Sequence, residues 1–544
     1  MFFIGVNDGI IPKSTASGGI ISQYERELLK QQDLELAPGA REQAFIQKFY
    51  LYLNITKPSD KVYISFSRTD SDGKSIRPSY FINVIKGLFQ NLKYVEYENI
   101  LSQLDLSSKD AAREYLFNGE KNEEWYALAK YFKEDTDKII EASNLHYSDE
   151  PISAIVAKAL YGNNMSGSVT RLEKFANCAY AHYLQYGLNI KEREGFELAD
   201  NEIGIMYHSA LCIYSNKLKD SDKTWFNISN EDRNSLADES MQEAILGFGN
   251  IDKFQTAAQM HKLDRMKEIF SQTIWAITKQ IRKGRFVPEK FEVHFSKEDN
   301  LKSLTYDFGN NNHLALQGYI DRIDTCKDDG KMYIKIIDYK SRETKFDLLK
   351  LYQGTKLQLV VYMNAALEKE ALKNRNVIPG GMFYCEIADP TIEPKYELSE
   401  EELEREVLLK FKPKGLVNSE EDIYRAMDED FEKKSDVIPV EVKSDGSLSA
   451  KSTAISTEEF EILNNFASAK IYEMGKDIYD GKVSVNPLSD CKYCKYNSIC
   501  KIDSKIPGYE RREEEKLKKE EIMDKMVTET ALIDNLKKNS EKGE

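Results

Sequence analysis

Leu314-Ala315-Leu316-Gln317-Gly318-Tyr319-Ile320-Asp321-Arg322-Ile323-Asp324, followed after Asp328-Asp329-Gly330 by Ile334-Lys335-Ile336-Ile337-Asp338-Tyr339-Lys340, is the stretch that decides the fold. It reads as two strands joined by a tight turn. Leu314, Leu316 and Ile320 would bury one face of the first strand and turn Gln317, Tyr319 and Asp321 to the other. In the second strand Ile334, Ile336, Asp338 and Lys340 share a face. A period of two therefore delivers a carboxylate and an ammonium side by side, within reach of a second carboxylate from the preceding strand.

That arrangement outlines a metal and phosphate site. Hydrolysing a phosphodiester needs an activated water and something to hold the charge that grows on the phosphate oxygens, and carboxylate-held Mg²⁺ serves both needs. A nearby lysine adds a point charge for the transition state. The plainer reading is a hairpin whose polar ends face solvent, and two acids and a lysine alone do not separate the two.

Flanking segments add companions. Residues 351–367 have helical spacing, with Gln358 and Tyr362 four apart on one face and Leu359, Val360 and Met363 on an apolar one. Upstream, Ile203, Met206, Tyr207, Leu211 and Tyr214 form the apolar stripe of another helix, with His208 off that stripe.

Cys491-Lys-Tyr-Cys494-Lys-Tyr-Asn-Ser-Ile-Cys500 is a C-x₂-C-x₅-C cluster with three thiols, whereas a closed zinc or cubane iron-sulfur site commonly takes four. Cys178 is the candidate fourth ligand, in Thr170-Arg-Leu-Glu173-Lys-Phe-Ala-Asn-Cys178, where Thr170 and Glu173 have capping-box spacing. Such a site would close a loop of more than three hundred residues, offsetting a large entropy cost. Seven cysteines and no signal peptide speak against a disulfide framework and for metal ligation in a reducing cytoplasm. Spacing leaves zinc and iron-sulfur both open. Cys212, Cys326 and Cys385 read as core thiols.

Taken in order, His208, Gly318-Tyr-Ile-Asp321-Arg-Ile-Asp324, Asp338-Tyr-Lys340 and Gln358-Leu-Val-Val-Tyr362 resemble the motifs of RecB-type PD-(D/E)XK nucleases. The resemblance implies an α/β, restriction-endonuclease-like mixed sheet flanked by helices. It implies His208, Asp321 and Asp338 as metal ligands, Lys340 as the catalytic cation, and Gln358 and Tyr362 as supporting groups. One cysteine ahead of these motifs and three behind resembles the [4Fe-4S] staple of such nucleases, implying Cys178, Cys491, Cys494 and Cys500 as its ligands. Cys178-Ala179 departs from the family's usual Cys-Pro.

Pro379-Gly-Gly-Met-Phe-Tyr384, Asp389-Pro390, Lys414-Gly-Leu-Val417, Val437-Ile-Pro439 and Val485-Asn-Pro487 narrow the resemblance to the B subunits of Firmicutes-type AddAB helicase-nucleases. That implies a Mg²⁺-dependent DNA exonuclease that processes double-strand ends for recombination, cuts the 5′-ending strand and pairs with an AddA-like helicase-nuclease subunit. The alternatives are a catalytically silent DNA-end-binding or scaffold subunit with a structural cluster, and a stand-alone nuclease of the CRISPR-associated kind.

Phe2-Phe-Ile-Gly-Val-Asn-Asp-Gly-Ile-Ile-Pro12 and Lys61-Val-Tyr-Ile-Ser-Phe-Ser-Arg68 resemble late strands of a superfamily 1 helicase fold, in a chain that looks truncated. No Gly-x₄-Gly-Lys-Ser/Thr phosphate loop occurs in the sequence, so ATP hydrolysis is expected of the partner. The expected organisation is a helicase-like remnant and helical linker over residues 1–165, the nuclease over 166–505, and a charged helical or disordered tail over 506–544. The sheet is expected around residues 291–387, with 391–451 as a charged insertion.

The chain has 544 residues, too many for one core, and no apolar run of about 20 residues that would span a membrane. A net charge of −15 opposes DNA binding over a broad surface. Local cations must then serve, and the run Lys279-Gln-Ile-Arg282-Lys283-Gly-Arg285 is one candidate channel lining, with a solvated helix end as its other reading.

Overall fold

The computed structural model describes residues 1–544 apart from 14–20, 35, 71–73, 90, 94, 96–107, 119–121, 144–149, 193–197, 250–255, 297, 299–300, 302–303, 374, 393–397, 490, 504–508, 510, 513–516 and 543–544. The chain divides into two compact units, Met1–Ala142 and Ser143–Glu544. The expected 505/506 boundary, with Pro507 and Gly508, lies outside the described residues.

In the first unit, the segments read as strands pair in parallel, β1 (Phe2–Phe3) with β2 (Tyr63–Ile64). Asn7 ties the two strand ends to the neighbouring chain: its side-chain amide donates to the Ser67 and Arg77 carbonyls and accepts from the Ser67 N–H.

The second unit is built on a mixed sheet. Its strands are β4 (Val287–Phe295), β7 (Gly318–Asp328), β8 (Lys331–Lys340), β9 (Asn376–Glu386), β10 (Lys414–Asn418) and β11 (Ala454–Ile455), in the order β11-β10-β9-β8-β7-β4. The hairpin β7–β8 is antiparallel with Arg322 opposite Ile337, β8 runs parallel to β9, and β9 antiparallel to β10. A smaller sheet joins β3 (Asn164–Gly167), β6 (His313–Leu316) and β5 (Thr305–Asp307).

Burial on both faces explains why Met332 to Ile337 is nearly continuously apolar. Ile334 and Ile336 pack into one core with α1 (Val169–Asn177), α5 (Gln358–Ala371), α6 (Thr457–Tyr479) and α7 (Lys519–Lys542). Tyr333, Ile337 and Tyr339 pack into the other with α2 (Asp200–Lys219), α3 (Asn230–Gly247) and α4 (Ala257–Ile281). The helices therefore sandwich the sheet, as the fold class read from the sequence requires.

Three local readings are corrected. Leu314 and Leu316 do not continue into the Ile320 strand: the chain leaves the small sheet at Gln317 and enters the large one at Gly318. A Cβ on Gly318 would sit 3.0 Å from the Phe295 ring, so the crossing needs glycine there. The 351–367 helix is split, with Leu348–Tyr352 ending before Gly354 at φ 78° and α5 starting at Gln358. The 391–451 stretch is not merely an insertion, because β10 joins the central sheet. The tail, read as helical or disordered, holds the helix α7, docked through buried Ile522, Met523, Met526 and Ile533; tail residues 513–516 lie outside the described set.

Candidate active site

The β7–β8 ladder stops at Arg322 and Ile337, and the two strands part just beyond it. Asp321 Oδ2 there accepts the Tyr339 main-chain N–H at 2.6 Å, which anchors one carboxylate oxygen and leaves the other for a ligand. Oδ1 lies 3.3 Å from His208 Nδ1, on the half-buried side of α2.

Glu292 completes this group, and the sequence reading missed it. On β4, Phe291 pairs with Arg322 and Val293 with Ile320, which puts Glu292 opposite Asp321. Its φ of 46° is a left-handed value rare for a residue with a side chain, a local strain of the kind that collects at working sites. Glu292 Oε1 lies 3.3 Å from His208 Nδ1. Ligand atoms of His208, Glu292 and Asp321 all fall within 4.8 Å of one another. One imidazole with carboxylate oxygens suits a hard divalent cation such as Mg²⁺ or Mn²⁺.

Asp338 lies outside that closest group but in its field. It is 1% exposed, and its Oδ2 has the Lys340 ammonium at 2.5 Å and no directed hydrogen-bond donor among the described residues. Burial, then the Asp321 charge, push its carboxyl up to about 7 against the pull of Lys340 and His208. Burial disfavours a charged His208, but hydrogen bonds and charge from Asp321 and Glu292 outweigh it and raise the imidazole to about 10. Carboxylates this crowded, with one buried oxygen short of donors, are a set that a divalent cation would satisfy.

Lys340 is held from two directions. Besides Asp338, its Nζ donates to Gln358 Oε1 at 2.9 Å. Gln358 Nε2 donates to Tyr362 Oη at 2.8 Å, one helical turn on. The start of α5 is fixed in turn by Glu173, whose Oε1 accepts the Leu357 N–H at 2.7 Å and the Gln358 N–H at 3.1 Å. This corrects the capping-box reading: α1 has Ser168 as its N-cap, and the Glu173 carboxylate caps a different helix. The structure thus brings His208, Asp321, Asp338, Lys340, Gln358 and Tyr362 to one end of the sheet. His208 comes from the helical layer on one face, and Gln358 and Tyr362 from the layer on the other.

The second constellation is also assembled. Cys178 lies between α1 and the short helix Ala179–His182, closing the first and opening the second. Ala179 is the first residue of that helix, where proline is favoured because its missing N–H would have no partner; alanine leaves the cap intact. Cys178 shares an apolar cluster with Cys494, Leu184 and Tyr496. Burial pushes the Cys178 thiol up, and the charges of Cys494 and Cys491 add to that. Cys500 is pushed up by burial and feels all three other thiols.

Two backbone contacts already join the two ends, Tyr180 N–H to Ser484 O and Leu488 N–H to Asn177 O, and a side-chain bond runs from Asn177 Nδ2 to Ser489 Oγ at 2.9 Å. Arg512 adds a clamp that the sequence reading did not single out. Its guanidinium donates to the Ala176 and Asn177 carbonyls and to Asn486 O. Four thiols that act on one another's protonation are a donor set that fits a thiolate-held metal group. The triad within 4.8 Å among the described residues is the His208 group and not the thiols.

The basic run at 279–285 is committed elsewhere. Lys279 pairs with Glu404, Arg285 with Asp328 and Glu429, and Arg282 donates to the Trp225 and Ile228 carbonyls.

Residues 166–501, well over half of the chain, match the sequence pattern of the PD-(D/E)XK nuclease superfamily, and the chain belongs to it. Its nearly full length is also similar to curated proteins named as the B subunits of ATP-dependent helicase/deoxyribonucleases. It is 35% identical to that of Lachnoclostridium phytofermentans, over 96% of this chain and 47% of the relative. It is 31% identical to that of Clostridium kluyveri, over 96% and 48%, and 30% identical to that of Alkaliphilus oremlandii, over 98% and 48%. The chain spans about half the length of these curated relatives. The likeness to AddAB-type B subunits read from the motifs agrees with their names. No helix among the described residues is long and apolar enough to cross a membrane.

Proposed function

We propose that the chain is the nuclease-bearing part of a B-type subunit of a helicase-nuclease, a Mg²⁺-dependent DNA exonuclease held together by a [4Fe-4S] cluster on Cys178, Cys491, Cys494 and Cys500. The observation that carries this reading is the Lys340 ammonium fixed between Asp338 and Gln358, beside the His208, Glu292 and Asp321 group. A structural hairpin has no use for a lysine held so tightly at the edge of crowded carboxylates.

Mg²⁺ held by His208, Asp321 and Asp338, with Glu292 beside them, would supply Lewis acidity toward a phosphodiester. Lys340 places a fixed positive charge where the phosphate oxygens gain negative charge. Gln358 and Tyr362 keep it there, and Glu173 keeps Gln358 at the helix start. The names of the relatives favour a partner helicase subunit of the AddA kind and DNA ends as substrate. On this reading the pair processes double-strand breaks for recombination in the cytoplasm, this chain cuts the 5′-ending strand, and ATP hydrolysis belongs to the partner. The parallel β1–β2 pair supports a helicase-like origin for the first unit.

The test is cleavage of end-labelled DNA by the purified protein in Mg²⁺ and in EDTA, with an absorption spectrum after anaerobic purification. Mg²⁺-dependent release of nucleotides and a broad band near about 400 nm are expected. No cleavage in any divalent metal would leave a DNA-end-binding scaffold subunit, and a colourless zinc protein would remove the cluster.

A further inference from the structure

Lys356 is a half-buried cation at the edge of the site. It lies in the turn between Leu348–Tyr352 and α5, two residues before Gln358. Its Nζ sits 5.3 Å from the centroid of the Tyr384 ring, and Lys340 Nζ sits 5.6 Å from the same centroid. Tyr384 is the β9 partner of Asp338, and its buried ring lies against both ammonium groups at the catalytic strand end. The two ammonium groups are therefore at most about 11 Å apart, a span that neighbouring phosphates of one strand can bridge.

Lys340 is committed to Asp338 and Gln358, whereas Lys356 has no carboxylate at ion-pair distance among the described residues. Glu173 is its nearest electrostatic counterweight, but the Glu173 Oε1 is occupied by the Leu357 and Gln358 N–H groups. The side chain is half-buried, and burial and the Lys340 charge both act against its charged form. The Tyr384 ring face offsets part of that cost, and a half-buried lysine with no carboxylate at ion-pair distance still gains from an anion. In a chain of net charge −15, a local cation at the catalytic edge matters more than overall balance.

We infer that Lys356 is a strand-binding residue: its ammonium holds a backbone phosphate of the nucleic-acid strand, next to the phosphate that Lys340 faces. The chemical class it recognises is a phosphodiester chain and not a base, because a lone ammonium reads charge without sequence. This rests on the nuclease reading above and adds to it the residue that seats the substrate.

The experiment measures binding of a fluorescently labelled single-stranded oligonucleotide to the full chain in EDTA, across a salt series, for wild type, Lys356→Gln and Lys356→Arg. Losing one phosphate contact lowers the slope of log K against log salt by about 0.7, and Lys356→Gln is expected to show that change with weaker binding at low salt. Lys356→Arg should restore the wild-type slope. A Lys356→Gln protein with unchanged slope and affinity overturns the inference, as does a Lys356→Arg protein that behaves like Lys356→Gln. Wild type that neither binds this DNA nor cuts it in Mg²⁺ overturns the nuclease reading and this inference with it. Wild type that binds and cuts while the Gln variant is unchanged removes only the role of Lys356.

Discussion

Gln358 Oε1 accepts a hydrogen bond from Lys340 Nζ at 2.9 Å, so a residue that begins a helix sets the position of the ammonium at the end of a strand. If Gln358 positions Lys340, Gln358→Ala should lower the single-turnover cleavage rate by about 10–100-fold, the usual effect of an orienting partner. Tyr362→Phe removes only the hydroxyl that steadies the amide and should lower it less. Both should bind DNA with wild-type affinity. Equal rates for all three proteins would show that Lys340 needs no such support.

The two acids of the first strand differ in work. Asp324 is fully buried in a bidentate pair with Arg322, both contacts at 2.6 Å, and also pairs with Lys335 at 2.8 Å. Burial alone would raise its carboxyl, but Arg322 and Lys335 outweigh that and hold it below the usual range. Asp324→Asn should thus destabilise the fold by about 3–5 kcal/mol, as removal of one partner of a buried ion pair does. Asp321→Asn should cost far less stability and abolish activity. Urea denaturation and cleavage assays on the two variants separate the roles; a reversed pattern would contradict the account.

The pH dependence of the metal-free protein follows from Asp338. Its carboxyl is raised from 3.8 to about 7, so its stabilising contribution is complete below about pH 4 and is lost as pH rises through about 7. His208, raised to about 10, adds a loss that begins above its unfolded value near 6.5. In EDTA, the midpoint of unfolding should fall from about pH 6.5 to pH 8, because His182, held down at about 3 by burial and Arg171, gains stability up to its unfolded value and offsets Asp338 at lower pH. Asp338→Asn should flatten that fall below pH 7, and Mg²⁺ should stabilise wild type most at the alkaline end. A wild-type midpoint rising over this range would contradict the charge balance described.

Arg512 joins the carbonyls just before Cys178 to Asn486, five residues ahead of Cys491. Arg512→Leu should leave all four thiols in place and still lower cluster retention. The check is iron content and absorbance after timed exposure to chelator, with faster loss expected than in wild type. Identical loss rates would mean that the backbone contacts alone hold the two ends.

What was legible in the sequence was what short range controls. The hairpin follows from Asp329-Gly330 and from the alternation Ile334, Ile336, Asp338, Lys340, and a period of two fixes which side chains emerge together. His208, off the apolar stripe of its helix, was legible only with its companions, in the order of motifs that resembles the nuclease family. Glu292 was not, since its place opposite Asp321 depends on the β4–β7 register and on a left-handed backbone. Glu173 was misread for the same kind of reason: local spacing offered a capping box, while the fold gives its carboxylate to α5, far along the chain. Arg512 and Lys356 acquire meaning only from long-range packing, which no window of sequence contains.

The most direct measurement is Mg²⁺-dependent cleavage of end-labelled DNA by Asp338→Ala beside wild type, with DNA binding measured on the same preparations. The account predicts bound DNA at near wild-type affinity and no detectable cleavage. Cleavage by Asp338→Ala at the wild-type rate would contradict it.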